Sequence, residues 1–500
     1  MDADYKALLE HSKSIARFHS IMTLLHWDQE TYMPPGGISA RSEQIAEISE
    51  LTHEKKIARS YKQLLGKFVN LNTGNFKRAL NKDQQVCVRE WHKDYCRNTK
   101  LPVAFVKAFS QLTSEATQIW AMAKKANNFK LFAPFLEKII RMNREKTEIL
   151  GFEEHPYDAL LEAYEPCMRA SRVSRIFDAL EKELKGLMKK IGAQKSAKFL
   201  TRAVDDATQA DIGLWISRVL PVDPDYTRLD VSSHPFSLAL HPKDSRITTR
   251  YLKNSFLSNI FSVLHEAGHS MYEMGLPAQH WGTPLAEPVS LSVHESQSRW
   301  WETLIGRSLP FWRHMYPMLQ RKLPFLDKVS LQDFYRAANH VAPSFIRVEA
   351  DEVTYGLHVI LRFEIEKQLI TGNLSVGDLP DAWNEKFKEL FGLTPPSVAE
   401  GCLQDIHWSL GDFGYFPTYA LGNLLAAQFF GAFEKEHKDW DTRVAQGELG
   451  FVRDWLKRNV HVHGKKYNLD ELAKRITGKG LSEEAYCKHL KSKYSEIYSL

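Results

Sequence analysis

The sequence predicts a mainly α protein, a large helical unit with a small β-sheet next to its most chemically loaded helix. Three observations predict it. Apolar residues recur at three- and four-residue spacing along most of the 500 residues. Short runs rich in β-branched residues are concentrated in Tyr226–Tyr251. No Pro/Gly/Ser linker, low-complexity tract, internal repeat or composition shift marks a boundary. Length alone suggests about three domains, but the even composition favours one two-lobed unit over residues 1–500.

Taken in order, helical spacing covers residues 3–26, 38–70, 82–125, 130–150 and 171–191, with LNTGNF (Leu71–Phe76) as a loop-sized break. Tyr226–Tyr251 contains DVSSHPFSLAL and ITTRYL, bounded by Pro and Asp, which reads as two or three strands. Helical spacing resumes over 252–274, 290–306, 330–371, 379–391, 420–437 and 446–459.

Charge excludes one class of function. Sixty-six Lys and Arg against 61 Asp and Glu leave a weak surplus of +5. The densest basic runs, Lys185–Lys198 and Lys465–Lys466, have acids among or near them and read as solvated helix faces. No nucleic-acid partner is expected, because such proteins concentrate basic charge in stripes. The five cysteines, Cys87, Cys96, Cys167, Cys402 and Cys487, form no CxxC pair. The start, MDADYKALLEHSKS, lacks the apolar stretch of a signal peptide. The most apolar window, Ala420–Phe433, holds Asn423 and Gln428 and is too short to span a bilayer. A cytoplasmic location without membrane attachment is expected.

The richest stretch is Ser262–Gly275, which contains His265-Glu266-Ala267-Gly268-His269. Ile260, Leu264, Ala267 and Met271 define the apolar face of a helix that Gly275 ends. His265 and His269 are four apart, so both imidazoles leave the same side and reach one Zn²⁺. Glu266 then contacts a metal-bound water without entering the coordination shell. The bland reading is an amphipathic helix with two histidines by chance. A catalytic zinc needs a third protein ligand as well as an open position. Ser290–Trp301 supplies it on a second helical pattern, where Glu295 lies 26 residues after His269. His294 competes for the role but points from another side of that helix. His265, His269 and Glu295 make a His₂Glu set with Glu266 as general base.

These residues, with others in order, give the chain a resemblance to the carboxypeptidase Taq family of metallocarboxypeptidases. Beyond HEAGH and HESQ, the matching motifs are His234-Pro235-Phe236 and the DxRxT pattern Asp244-Ser245-Arg246-Ile247-Thr248. Ile346-Arg347 through Ala350-Asp351 and Gly401 through Gln404-Asp405-Ile406-His407-Trp408 follow. The resemblance covers nearly the whole chain. It implies a cytosolic, helical enzyme with a long cleft between two halves, commonly a homodimer, with one Zn²⁺ per chain. Co²⁺ or Mn²⁺ are the possible substitutes. It also implies that single C-terminal residues are removed from peptides with broad specificity, the substrate being a peptide with a free C-terminal carboxylate.

The remaining motif residues have two readings each. Arg is the best bidentate partner for a carboxylate, so Arg347 and Arg246 are the substrate-binding candidates. Their bland readings are ion pairs, Arg347 with Asp351 along a helix and Arg246 with Asp244 in a loop. Related zinc oligopeptidases place a His and, about a dozen residues on, a Tyr over the developing oxyanion. That points to His407 with Tyr419, and then to Tyr415. His234 lines the cleft at a strand edge or turns the chain. Gln404 and Asp405 orient His407 or the substrate. His461 and His463 are expected to be exposed at a helix C-terminus. An endo- or dipeptidyl-type zinc oligopeptidase is the alternative function. A non-enzymatic scaffold with an inert zinc site is opposed by the intact Glu266.

Overall fold

Helix boundaries follow from capping chemistry. The computed structural model describes residues 2–500. The first helix, α1 (Ala3–Thr31), is capped by Asp2, whose carboxylate accepts from the Asp4 amide. It turns through Pro35–Gly37 into α2 (Ile38–Ile57). The predicted run 82–125 is two helices, Lys82–Lys100 and Val103–Lys125. Asn81 and Gln84 form a capping box at the start of the first. Pro102 keeps Leu101 extended between them.

Three strands follow: β1 (Thr227–Val231), β2 (Ser237–His241) and β3 (Asp244–Thr249). Their order is β1-β3-β2, with β3 parallel to β1 and antiparallel to β2. Ser245, Ile247 and Thr249 are buried on β3, and the sheet packs on α3 (Phe256–Gly275). Next come α4 (Leu291–Arg299), continued by a π-helical turn to Ile305, and later α5 (Tyr355–Thr371). The predicted helix 330–371 is interrupted between Ala338 and Tyr355. Pro343 lies in that break, and Asp351 accepts from the Val353 and Thr354 amides just before α5. α6 (Pro417–Glu436) lies against α4.

Two hydrophobic clusters hold these elements. The larger runs from Ala116 to Ile497 and includes the fully buried Trp300, Trp301, Trp312 and Trp383. The smaller joins Tyr5, Leu8, Tyr61, Phe68 and Trp91 to Leu285. α1 is also fastened to the sheet. Trp27 lies beneath two guanidiniums, Arg246 at 4.3 Å and Arg228 at 5.0 Å from its ring centre, and the Tyr32 hydroxyl donates to Asp230 at 2.6 Å. Among the described residues no helix is long and apolar enough to cross a membrane.

Candidate active site

The regular rise of α3 puts His265 and His269 one turn apart with ring centres 4.9 Å from each other. Their Nε2 atoms lie 3.6 and 3.5 Å from Glu295 Oε2 on α4. One donor atom from each of the three residues lies within 4.8 Å of the others. Glycines allow this approach. A Cβ on Gly268 would stand 2.6 Å from the Gln297 carbonyl oxygen and 2.7 Å from Ser298 Cα. A Cβ on Gly422 of α6 would stand 2.7 Å from the Glu295 side chain. Both distances are impossible contacts, so glycine lets α3 and α6 close on α4 from two sides.

The far nitrogen of each imidazole is also engaged. His265 Nδ1 bonds Glu302 Oε2 at 2.9 Å, and Glu302 is paired with Arg299 at 3.1 Å. His269 Nδ1 meets His294 Nδ1 at 2.5 Å, and His294 Nε2 meets Glu273 at 2.9 Å. His294 therefore stands behind His269, pointing elsewhere than the ligand set. Arg299 Nε donates to Glu295 Oε1 at 2.7 Å, leaving Oε2 toward the imidazoles. Two imidazoles and a carboxylate, each oriented by a further partner, fit a divalent ion of the zinc type.

Charge is distributed unevenly here. Burial opposes a proton on both imidazoles, yet Glu295, Glu302 and Glu266 carry His265 up to about 9. Burial with His294 beside it pushes His269 down to about 3. Burial pushes the Glu266 carboxyl up to about 7, matched to proton transfer near neutrality. Arg299 and the two imidazoles overcome burial and hold Glu295 far below the usual carboxylate range.

A second cluster surrounds Arg347, which is only 5% exposed and sits in the short turn Arg347–Glu349. Its Nε and Nη2 donate to Asp405 Oδ1 at 3.1 and 2.9 Å, and its Nη1 to the Tyr355 hydroxyl at 2.9 Å. The helical pair with Asp351 is absent; Asp351 instead accepts from Ala342, Val353 and Thr354. Asp405 Oδ2 takes Arg362 at 2.7 Å. Burial alone would raise the Asp405 carboxyl, but the two guanidiniums outweigh it and hold it well below the usual range. Gln404 accepts from the Arg347 amide at 2.9 Å and donates to three backbone carbonyls, bracing this turn.

His407 begins a short turn beside that cluster, with Nε2 3.4 Å from the Tyr419 hydroxyl. Burial, reinforced by Arg347 and Arg362 against Asp405, pushes it down to about 4, so it is neutral at pH 7. Tyr415 packs at 5.2 Å from His407 and 5.3 Å from Tyr419. Burial raises both phenols, Tyr415 to about 12, so both keep their proton to donate.

The other expected residues lie apart from these two clusters. His234 is exposed in the β1–β2 connection. Arg246 lies on β3 rather than in a loop, paired with Asp244 at 3.1 Å and stacked over Trp27. His461 corrects an expectation: it is 1% exposed and bonds Gln297 at 3.0 Å. The absence of a side chain at Gly275 makes room for its ring. His463 is half-buried. Glu302, Arg299 and Tyr355 were missed by sequence reasoning. Arg299 and Glu302 fall four and seven residues after Glu295, on its helical face, and that spacing was the available signal.

A helical chain presenting two imidazoles and a carboxylate beside a buried glutamate poised for proton transfer has the build of a metallopeptidase. A family model described as carboxypeptidase Taq (M32) metallopeptidase matches residues 7–494, and the chain belongs to that family. It is 40% identical to thermostable carboxypeptidase 1 of Thermus thermophilus and 37% identical to carboxypeptidase 1 of Bacillus subtilis, over 99% of both chains in each case. The crystal structure of an M32 carboxypeptidase from Deinococcus radiodurans R1 matches with a TM-score of 0.95 at 35% identity, covering all of both chains. The chain is thus a metallocarboxypeptidase acting on peptides.

Proposed function

We propose that this carboxypeptidase works with one zinc ion held by His265, His269 and Glu295, and that it removes single C-terminal residues with broad specificity. The observation that carries the reading is the convergence of those three donors beside the buried Glu266 carboxyl. A divalent ion held by these three residues would supply Lewis acidity and a more acidic attacking water. Glu266 takes the proton of that water and returns it to the leaving amine. His407 and Tyr419, with Tyr415 beside them, donate to the oxygen that gains charge.

Arg347 reads the terminal carboxylate. Of its five N–H groups, Asp405 and Tyr355 engage three, which leaves one on each terminal nitrogen for a bidentate partner. Asp405 and Gln404 hold it in place, and Arg246 and His234 flank the more distant cleft. The imidazole-rich set favours zinc, with cobalt or manganese able to substitute. The whole chain acts as one catalytic unit, assembled as a homodimer on the strength of the family resemblance. Five free cysteines fit a reducing, cytoplasmic setting.

Mass spectrometry of one N-acetylated peptide, offered as the acid and as the amide, tests this. Stepwise loss of single residues from the acid alone, abolished by chelator and restored by zinc, is the expected result. Internal cuts in both forms would refute it.

A further inference from the structure

Tyr355, the first residue of α5, touches both clusters at once and is only 5% exposed. On one side its hydroxyl accepts from Arg347 Nη1 at 2.9 Å. On the other its ring carries the Arg299 guanidinium, 4.4 Å from the ring centre. Arg299 in turn donates to Glu295 Oε1 at 2.7 Å. A continuous line of contacts therefore runs from Glu295 through Arg299, Tyr355 and Arg347 to Asp405. Tyr355 also meets Tyr419 in a T-shaped contact, with ring centres 6.2 Å apart.

We infer that Tyr355 is a positioning residue that holds the free fork of Arg347 at a fixed offset from the metal-ligand carboxylate. The inference rests on the carboxylate-reading role given to Arg347 above. A planar guanidinium anchored along one edge by Asp405 can still rock about that edge. A hydrogen bond to Nη1 stops the rocking, because it fixes a second point of the plane. Tyr355 itself has little freedom. Asp351 accepts from the Val353 and Thr354 amides and from the Thr354 hydroxyl, which pins the start of α5. The stacked Arg299 sets the ring's tilt. Offset matters to an enzyme that cuts one residue from an end, since the distance from carboxylate reader to reacting carbonyl selects the bond.

The test uses the zinc-loaded full chain and an uncleavable probe, an N-acylated dipeptide with a reduced –CH₂–NH– linkage, as the acid and as the C-terminal amide. Inhibition by each gives an acid-to-amide preference. Tyr355→Phe removes one oxygen and keeps the ring, so zinc affinity by chelator competition stays at the wild-type level. The preference for the acid falls about tenfold or more, as a lost hydrogen bond to a charged group predicts. Tyr355→Leu also removes the surface under Arg299, and there zinc affinity falls about tenfold as well.

Arg347→Gln separates the two ideas. A lost preference in Arg347→Gln with an intact one in Tyr355→Phe overturns the inference about Tyr355 alone. An intact preference in Arg347→Gln overturns the carboxylate-reading role and this inference with it. Equal weakening of acid and amide in Tyr355→Phe would mark a merely structural residue and also overturn it.

Discussion

At the metal centre every donor and nearly every orienting group falls within residues 265–302, whereas the Arg347 corner gathers Arg347, Tyr355, Arg362, Asp405, His407 and Tyr419 from a 73-residue span. The first is built on helix periodicity, with glycines letting three helices close together. The second is built on a buried ion cluster threaded through short turns. The difference teaches that precision comes from repeat geometry in one place and from mutual charge pairing in the other. Each has its own weakness: added volume at the first, loss of a partner at the second.

The largest expected effect breaks the comparison at its chemical end. Glu266→Gln should lower kcat by about 10²–10⁴-fold while zinc affinity and the preference for a free carboxylate persist. Steady-state kinetics with chelator titration checks this, and a retained kcat would remove Glu266 from the mechanism. Next, Asp405→Asn leaves two buried guanidiniums short of charge, which should cost about 3–5 kcal/mol of stability and raise KM more than it lowers kcat. The same carboxyl sets an acid limb. Its folded pKa lies below the ordinary 3.8, so its stabilisation is full above that pH and is lost as pH falls toward the folded value. The melting-temperature gap between wild type and Asp405→Asn should therefore hold steady at pH values above 3.8 and only begin to narrow below it.

Gly422→Ala comes third. Its methyl would press on Glu295, so a loss of about 1–3 kcal/mol from overpacking should accompany weaker zinc binding. Unchanged zinc affinity would mean that the helices can part without moving the ligand. The smallest effect sharpens the outer boundary of the comparison. Arg246→Gln should cost about 0.5–1 kcal/mol through its lost stacking on Trp27. If it instead lowered the acid-to-amide preference, Arg246 would join the substrate-reading groups.

These two regions were unequally legible in the sequence. His265, His269 and Glu295 could be placed together because i, i+4 spacing and a returning helix are properties of the chain itself. The three strands were visible for the same reason, since Tyr226–Tyr251 carries their β-branched pattern locally. Arg347 and Asp405 are 58 residues apart, and nothing in either segment specifies the other; only the family resemblance marked them. The break in 330–371 was signalled by Pro343 and by Asp351, whose side chain caps backbone groups more readily than it pairs with Arg347. His461 was misread because its burial depends on Gly275, almost two hundred residues earlier.

The contiguity of the metal ligands also orders events on the ribosome. Residues 265–302 are made before the wall that covers them, because α6 begins only at Pro417. At about 5–20 residues per second, the His265, His269 and Glu295 cluster is made on the order of ten seconds before Gly422. The helix that closes on α4 therefore arrives last, and the packing that fixes Glu295 is completed only when α6 has been made.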